Sequence, residues 1–218
     1  VFFAAVLAPL QIFVGDMHGL VALENQPAKI AAVEGIWETE KGAPLTLFGF
    51  PDEEARTTHF AIEVPKMASI ILTHHADGEI KGLNEFEDAH PPVAPLFWSF
   101  RVMVGVGFLM LAIAWWGSYA LFKDRVGPWL LRALSGMTFA GWVATLAGWY
   151  VTEIGRQPWV VQGYIRASEV VADHAGGMVL STLIGYLALY AFLLVFYIFS
   201  LHYLSSKPAR SLRATIDF

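Results

Sequence analysis

Long apolar runs alternate with polar segments along this chain of 218 residues. Residues 96–122 and 176–204 are long enough to cross a bilayer, because an apolar core of about 30 Å needs roughly 20 apolar residues in a helix. Residues 129–152 also qualify, although Arg132 lies near their start. Residues 1–15 are apolar but too few, which predicts a truncated helix. The pattern therefore predicts an all-α integral membrane protein with four transmembrane helices, the first one truncated, as part of a larger helical bundle.

A long polar loop, residues 16–95, separates the first helix from the second. Within it, "NQPAKIAAVEGIWETEKG" (25–42) predicts a short helix, since Asn25 can cap it and Pro27 suits its first turn. The following "APLTLFGFPDEE" (43–54) has alternating apolar residues and a Pro-Asp turn signal. The loop is therefore expected to carry some local structure.

Composition and charge support a membrane location and suggest an orientation. The chain is 56% hydrophobic and 15% charged, whereas a soluble domain usually carries about 25% charged residues. Acidic residues dominate the polar loop, and basic residues gather between the second and third helices and in the tail, 205–218. Short loops rich in lysine and arginine usually lie on the cytoplasmic side of a membrane. We therefore expect a cytoplasmic tail, a periplasmic long loop and an outer position for residues 153–175.

The remaining sequence features exclude several classes of protein. The chain lacks cysteine, so disulfides and thiolate-held metals are not expected. It has no phosphate-binding glycine loop, zinc spacing or hydrolase triad, and its basic residues are too dispersed for nucleic acid. It begins with Val1 inside an apolar run, without the basic region or cleavage site of a signal peptide. We therefore expect that an N-terminal portion is missing.

The third helix ends on the candidate site "EIGRQPW" (153–159). Trp149 and Glu153 are four residues apart and therefore lie on the same face of the helix, with the tryptophan one turn before the carboxylate. A buried carboxylate would cost several kcal/mol unless it were paired or bound to metal. Two interpretations stay open. Glu153 could hold a metal, or it could form an interfacial pair with Arg156 beside Trp159 in the aromatic belt.

The second helix carries Arg101 about one turn into its apolar run, which is costly unless the side chain snorkels or meets an anion. Met103 does not share its face, but it does share one with Phe100 and Gly107. A thioether is a soft iron ligand, so a methionine near a small residue could hold a flat cofactor. The alternative is that Met103 only packs.

Lys29 and Glu34 are the charged residues of the short helix predicted in the loop. Five residues apart, they point about 140° away from each other, so their spacing does not make them a salt bridge. The simplest interpretation is a solvated helix with Glu34 beside Ile30 and Trp37. Alternatively, a carboxylate at a membrane-facing surface could accept a proton from a substrate hydroxyl.

Four segments together resemble subunit I of cytochrome bd-type quinol oxidases. They are "KIAAVEGIWET" (29–39), "TLFGFPDEE" (46–54), "PPVAPLFWSFRVMVGVGF" (91–108) and "EIGRQPW" (153–159). They are long, unrelated to one another and in unbroken order over nearly the whole chain. The resemblance implies a haem-binding subunit of a terminal respiratory oxidase in the bacterial inner membrane. Such an oxidase oxidises quinol, reduces oxygen to water and generates a proton motive force.

The same resemblance implies roles for single residues. Met103 would be an axial ligand of the low-spin b haem, and Arg101 would stabilise that haem. Glu153 would be the axial ligand of the high-spin b haem, with Trp149 close to the paired haems. Arg156 would help to hold anionic groups in that region.

Lys29 and Glu34 would belong to the quinol-oxidising site on the outer face. The implied cofactors are two b-type haems and haem d, or a third b-type haem in its place. The implied partners are oxidase subunit II, an optional small accessory subunit, quinol, oxygen and the lipid bilayer. The family's other haem ligands are histidines on earlier helices, which this sequence does not contain. Its short loop is similar to that of the short-loop group, which includes cyanide-insensitive oxidases.

Two other classes of function remain as alternatives at this point. The chain could be a membrane transporter in which Arg101 and Glu153 line a substrate path. It could also be a haem-free structural subunit. Neither alternative predicts b-type or d-type haem bands, so visible spectra distinguish them from an oxidase.

Overall fold

The computed structural model describes residues 1–87, 89–171 and 175–206. Its α-helices are α1 (Phe2–Asn25), α2 (Pro27–Glu34), α3 (Met67–Thr73), α4 (Val93–Phe122), α5 (Pro128–Gly136), α6 (Ala140–Gly155) and α7 (Gly176–Ser205). Its strands are β1 (Glu40–Lys41), β2 (Leu45–Asp52), β3 (Thr57–Val64), β4 (Glu79–Ile80), β5 (Trp159–Val161) and β6 (Ile165–Arg166). Most of the predicted tail, and residues 172–174 of the predicted outer loop, lie outside the described residues.

Four helical stretches are long and apolar enough to cross a membrane: Phe2–Asn25, Val93–Phe122, Pro128–Gly155 and Gly176–Ser205. The predicted helical membrane fold is therefore confirmed. Within residues 1–170, α4 packs against both α1 and α6. The indole Nε1 of Trp115 donates to the carbonyl of Ala5 at 3.0 Å, which ties α4 to α1.

The first helix is longer than predicted, since α1 continues past residue 15 to Asn25. The helix continues past Asp16, whose carboxylate lies 3.2 Å from Nε2 of His74 in the polar loop. The Asn25 amide donates to the carbonyl of Val21 at 2.8 Å. Asn25 therefore belongs to α1, and the prediction that it caps the next helix was wrong.

The third predicted helix, 129–152, is divided in the structure. A 3-10 turn at Met137–Phe139 separates α5 from α6. The hydroxyl of Thr138 donates to the carbonyl of Ser135 at 2.7 Å, which supports this local change. The helix then continues to Gly155, so Glu153 lies in its last turn rather than beyond its end.

The helix predicted at 25–42 is limited to α2, with Gln26 as its N-cap and Pro27 in its first turn. It ends because Gly35 adopts φ +70°, a left-handed conformation that glycine accepts without the steric cost of a Cβ. The residues after Gly35 therefore leave the helix, and Glu40–Lys41 form β1 instead.

The polar loop is folded onto the helices. The alternating segment forms β2, which pairs with β3 in an antiparallel hairpin. The main core joins α2 and the segments after it to the start of α4, through Ala31, Ala32, Val33, Trp37, Leu83, Val93 and Leu96. Val151 and Ile154 of α6 pack against this core. The buried core therefore lies where the loop meets α4 and α6, which is where most of the predicted site residues fall.

The last described helix, α7, belongs to a separate compact unit that begins at Val171. Its hydroxyl groups bond to its own main chain: Ser181 and Thr182 each donate to the carbonyl of Met178 at 2.9 Å. Such bonds satisfy polar atoms within an otherwise apolar helix, as a membrane span requires.

Candidate functional site

An ion pair joins the polar loop to the second long helix. Glu34, the last residue of α2, places Oε2 3.6 Å from Nη2 of Arg101 on α4. Both side chains are largely buried, with 5% of the Glu34 side chain and 11% of the Arg101 side chain exposed. The simple prediction that Glu34 lies on a solvated helix is therefore wrong. Packing of α2 against α4 removes the carboxylate from water.

Arg101 is held mainly by main-chain oxygens. Its Nη1 donates to the carbonyls of Val33 at 2.7 Å and Phe97 at 3.1 Å, and its Nη2 donates to the carbonyl of Thr46 on β2. The guanidinium carbon lies 3.2 Å from the centre of the Phe97 ring, a cation–π contact. One side chain thus connects α2, α4 and β2 at one point.

The surroundings of Glu34 raise the pKa of its carboxyl group. Burial raises its pKa to about 7, although the positive charge of Arg101 acts in the opposite direction. Its Oε2 is buried and has no hydrogen-bond partner within the described part of the chain. A carboxyl group with a pKa near neutrality is the kind of group that can accept a proton from a bound ligand.

Lys29 lies on the opposite side of α2, as the five-residue spacing predicted. Its side chain runs along Gly155 at the end of α6, where an added Cβ would lie 2.8 Å from Lys29 Cε. Burial lowers the pKa of Lys29, as does the charge of Arg156, whereas Glu153 acts to raise it. The structure therefore does not bring Lys29 and Glu34 together. It brings Lys29 to Glu153 and Arg156.

Glu153 and Arg156 form the ion pair that their three-residue spacing allows. Both side chains are partly exposed, 39% for Glu153 and 48% for Arg156, so the carboxylate can still exchange one partner for another. A pair this exposed contributes about 0 to 1 kcal/mol to stability. Trp149, one turn earlier on α6, has 57% of its surface exposed.

Met103 faces α6 from α4. Its Sδ lies 3.0 Å from the position that a Cβ would occupy on Gly148, so no side chain stands between this sulfur and the α6 backbone. Met103 is only partly buried. Gly148 immediately precedes Trp149, and the candidate thioether and the candidate tryptophan therefore lie at the same level of the bundle.

The chemistry of these groups fits haem. Among the described residues, no group of three or more His, Asp or Glu side chains could hold a metal ion. Met103 and Glu153 each offer one candidate donor atom, as an axial ligand of a haem iron would. Nε of Arg101 and Nε1 of Trp159 are buried donors without a hydrogen-bond partner in the described chain. Such donors suit the anionic edge of a haem.

Several residues of this region were missed by sequence reasoning. Phe97 and the carbonyl of Thr46 hold Arg101. Glu53, at the end of the β2–β3 hairpin, accepts the Val93 N–H at 2.7 Å and so caps α4. The Thr58 hydroxyl donates to the carbonyl of Gly35. The alternating pattern of residues 43–54 indicated local structure but not where it packs.

The family model described as "Cytochrome bd terminal oxidase subunit I" matches residues 1–208. The chain belongs to this family. Together with its four candidate spans, membership makes the chain a helical, multi-pass membrane subunit, and the resemblance seen in the sequence is confirmed.

Relatives within the cytochrome bd family agree with this assignment. The chain is 34% identical over 194 residues to the cytochrome bd ubiquinol oxidase subunit 1 of Bacillus subtilis. This alignment covers 82% of this chain and 41% of that protein. It is 25% identical to the cytochrome bd-II ubiquinol oxidase subunit 1 of Escherichia coli, over 94% of this chain and 52% of that protein.

A solved structure of the family has the same fold. The structure of bd oxidase from Geobacillus thermodenitrificans matches with a TM-score of 0.78 and 33% identity, over 94% of this chain and 48% of that chain. The chain thus spans about half the length, or less, of the bd oxidase proteins it matches.

Proposed function

We propose that this chain forms part of the haem-binding subunit of a terminal respiratory oxidase that oxidises quinol and reduces oxygen to water. One observation carries the proposal. Glu34 is a buried carboxyl with a pKa of about 7 that pairs with Arg101, and Arg101 lies two residues before Met103. A proton acceptor therefore pairs with a residue that lies two positions before a candidate iron ligand on the same helix.

In this proposal the Glu34 carboxylate accepts a proton from a quinol hydroxyl. Arg101 stabilises the ionised carboxylate before the transfer and keeps it directed towards α4. Lys29, whose pKa is lowered by burial and by Arg156, lies on the other side of α2 beside Glu153 and Arg156, and it would serve the quinol-oxidising site from there. When bound, the haems would supply the one-electron chemistry and the reduction of oxygen.

The residues of α4 and α6 would hold the cofactors. Met103 would bind the iron of the low-spin b haem, with Arg101 close to its anionic edge. Glu153 would bind the iron of the high-spin b haem after leaving its pair with Arg156, whose guanidinium would remain to neutralise a propionate. Trp149 would pack against the paired haems. Two b-type haems and haem d, or a third b-type haem, would then serve the complete subunit.

The remaining features of the proposal concern the setting of the chain. We place it in the bacterial inner membrane, with the polar loop periplasmic and the C-terminus cytoplasmic. Its partners would be subunit II, an optional accessory subunit, quinol and oxygen. We assign the chain to the short-loop group, and the Escherichia coli alignment extends over 275 residues against the 218 of this chain. The relative therefore carries insertions.

Visible spectra and oxygen uptake of the complete, purified assembly test this function. We expect b-type and d-type bands (or b-type bands alone if a third b haem replaces haem d) in the reduced-minus-oxidised spectrum. We also expect oxygen consumption on addition of quinol. A transporter or a haem-free structural subunit predicts neither result. A colourless assembly, prepared with ample haem supply, would exclude the proposal.

The rate of quinol oxidation should depend on the ionisation of Glu34. We expect the rate to rise as the pH increases through about 7, because only the ionised carboxyl accepts a proton. The same carboxyl holds its proton more tightly in the folded chain than in the unfolded chain. It therefore also lowers the free energy of unfolding as the pH rises from about 4.5 to about 7.

This prediction is checked by a pH–rate profile of the wild-type oxidase. The matched control is Glu38→Gln, which alters an exposed carboxyl four residues further along and should keep the same transition. A wild-type profile that stays flat between about pH 6 and pH 8 would contradict a rate-determining proton transfer to Glu34.

A further inference from the structure

One hydroxyl group of the β2–β3 hairpin reaches the turn that follows Glu34. The Thr58 Oγ1 donates to the carbonyl of Gly35 at 3.1 Å and accepts the Nε1–H of Trp37, also at 3.1 Å. The hydroxyl therefore bonds to the residue before Ile36 and to the residue after it. These two bonds attach the end of α2 to a strand more than twenty residues further along the chain.

The turn held by Thr58 has little room to move. Gly35 has φ +70°, and a Cβ there would lie 3.1 Å from the Phe97 ring and 3.2 Å from Thr58 Oγ1. The Phe97 ring also contacts the guanidinium of Arg101, whose carbon lies 3.2 Å from the ring centre. Thr58, Gly35, Phe97 and Arg101 thus form a continuous series of contacts that begins at the hairpin and ends at the partner of Glu34.

The same hairpin reaches this region at two further points. The Thr46 carbonyl on β2 accepts a hydrogen bond from Arg101. Glu53, which follows β2, accepts the Val93 N–H at the start of α4. The hairpin therefore contacts Arg101, the glycine that follows Glu34 and the helix that carries Arg101. Of these contacts, only those of Thr58 and Glu53 depend on a side chain of the hairpin.

We propose that Thr58 is a positioning residue for quinol oxidation: its hydroxyl fixes the turn at Gly35 so that Glu34 stays buried against Arg101. This inference rests on the proposed function. Thr58 touches neither Glu34 nor any cofactor in this account, and it acts through the main chain of Gly35 and the indole of Trp37. Arg101 is the charged group that acts on Glu34 within the described residues.

The test compares Thr58→Val with Thr57→Val and Thr58→Ser in the complete oxidase. Valine keeps the shape of threonine but neither donates nor accepts, so both bonds are lost. We expect the kcat for quinol oxidation to fall about tenfold, which corresponds to about 1.4 kcal/mol in the activation free energy. We also expect unchanged haem bands. Thr57→Val changes the neighbouring residue of the same strand and should keep the wild-type rate.

The pH–rate profile separates positioning from general support of the fold. Without the two bonds the turn loosens and water reaches Glu34. Because burial is the main cause that raises the pKa of this carboxyl, the midpoint of the profile should move to lower pH in Thr58→Val. Thr58→Ser keeps the hydroxyl and should restore the wild-type midpoint. A structural role alone would lower the yield of assembled oxidase without moving the midpoint.

The outcomes distinguish this inference from the proposed function. If the wild-type assembly does not oxidise quinol, the proposed function fails. If the wild type is active but Thr58→Val has the same rate and midpoint as Thr57→Val, the positioning role is overturned. If Thr58→Val does not assemble, Trp37→Phe is the second variant. It removes the indole donor, and a midpoint identical to that of the wild type would then contradict the inference.

Discussion

Replacement of Met103 by leucine is expected to remove the low-spin b-haem signal from the reduced-minus-oxidised spectrum of the complete oxidase. Leucine has a similar volume to methionine, so the contact with Gly148 on α6 is largely kept, and such swaps usually cost less than about 1.5 kcal/mol of stability. The thioether sulfur is lost, and leucine offers no atom that can bind iron. The spectrum should therefore change while the helices remain folded.

Met110→Leu is the matched control for this experiment. Met110 lies two turns further along α4 and is also partly buried, so the same chemical change is made in a similar environment. We expect the control to keep its low-spin signal. A normal low-spin signal in Met103→Leu would show that another residue holds this iron, and the assignment of Met103 would have to be abandoned.

Replacement of Glu34 by glutamine is expected to lower the rate of quinol oxidation by at least about 100-fold, the lower range for loss of a general base. Glutamine matches the carboxylate in size, so the packing of α2 against α4 is kept. It cannot take up a proton at neutral pH, and it leaves Arg101 without its counter-charge. The haem bands should stay close to those of the wild type, because Glu34 is not placed as an iron ligand.

Steady-state quinol oxidation and haem content, measured on the same preparations, check this result. Glu38→Gln is the control, since Glu38 lies on the same segment but is exposed and should tolerate the change. Unchanged turnover in Glu34→Gln would remove the proton-accepting role of this carboxyl. Loss of haem together with activity would show that Glu34 supports the fold rather than the reaction.

The helical membrane fold was predictable because it depends on local composition. A run of about 20 apolar residues in a helix is long enough to cross the apolar core of a bilayer. The bounds of the three later spans agree with the prediction to within a few residues. The end of α1 was not predictable in this way. A charged residue such as Asp16 ends an apolar run in the sequence, but the helix continues past it, and its carboxylate contacts His74 of the loop.

The candidate site was predictable in its members but not in its contacts. The helical period correctly placed Lys29 and Glu34 on different sides of α2. It could not show that the Glu34 side meets Arg101, because that contact joins residues far apart in the chain. The burial of Glu34, and therefore the rise in its pKa to about 7, depends on the packing of α4 and the hairpin around it.

Arg101 illustrates the same limit. Its position in an apolar run indicated that it needs an anion or a route to water, and Glu34 supplies the anion. Its other partners are carbonyl oxygens of Val33, Thr46 and Phe97. Every residue carries a carbonyl, so the identity of these neighbours gives no signal that they bind a guanidinium.

The use of carbonyl oxygens around Arg101 has an evolutionary consequence. Val33 and Thr46 could be exchanged for other residues of similar size without loss of the acceptor atoms, because the peptide backbone would be unchanged. Arg101 itself has no such freedom, since lysine cannot form several directed bonds from one planar group. Among diverging homologues we therefore expect arginine to persist at this position while the two residues whose carbonyls it binds drift in identity.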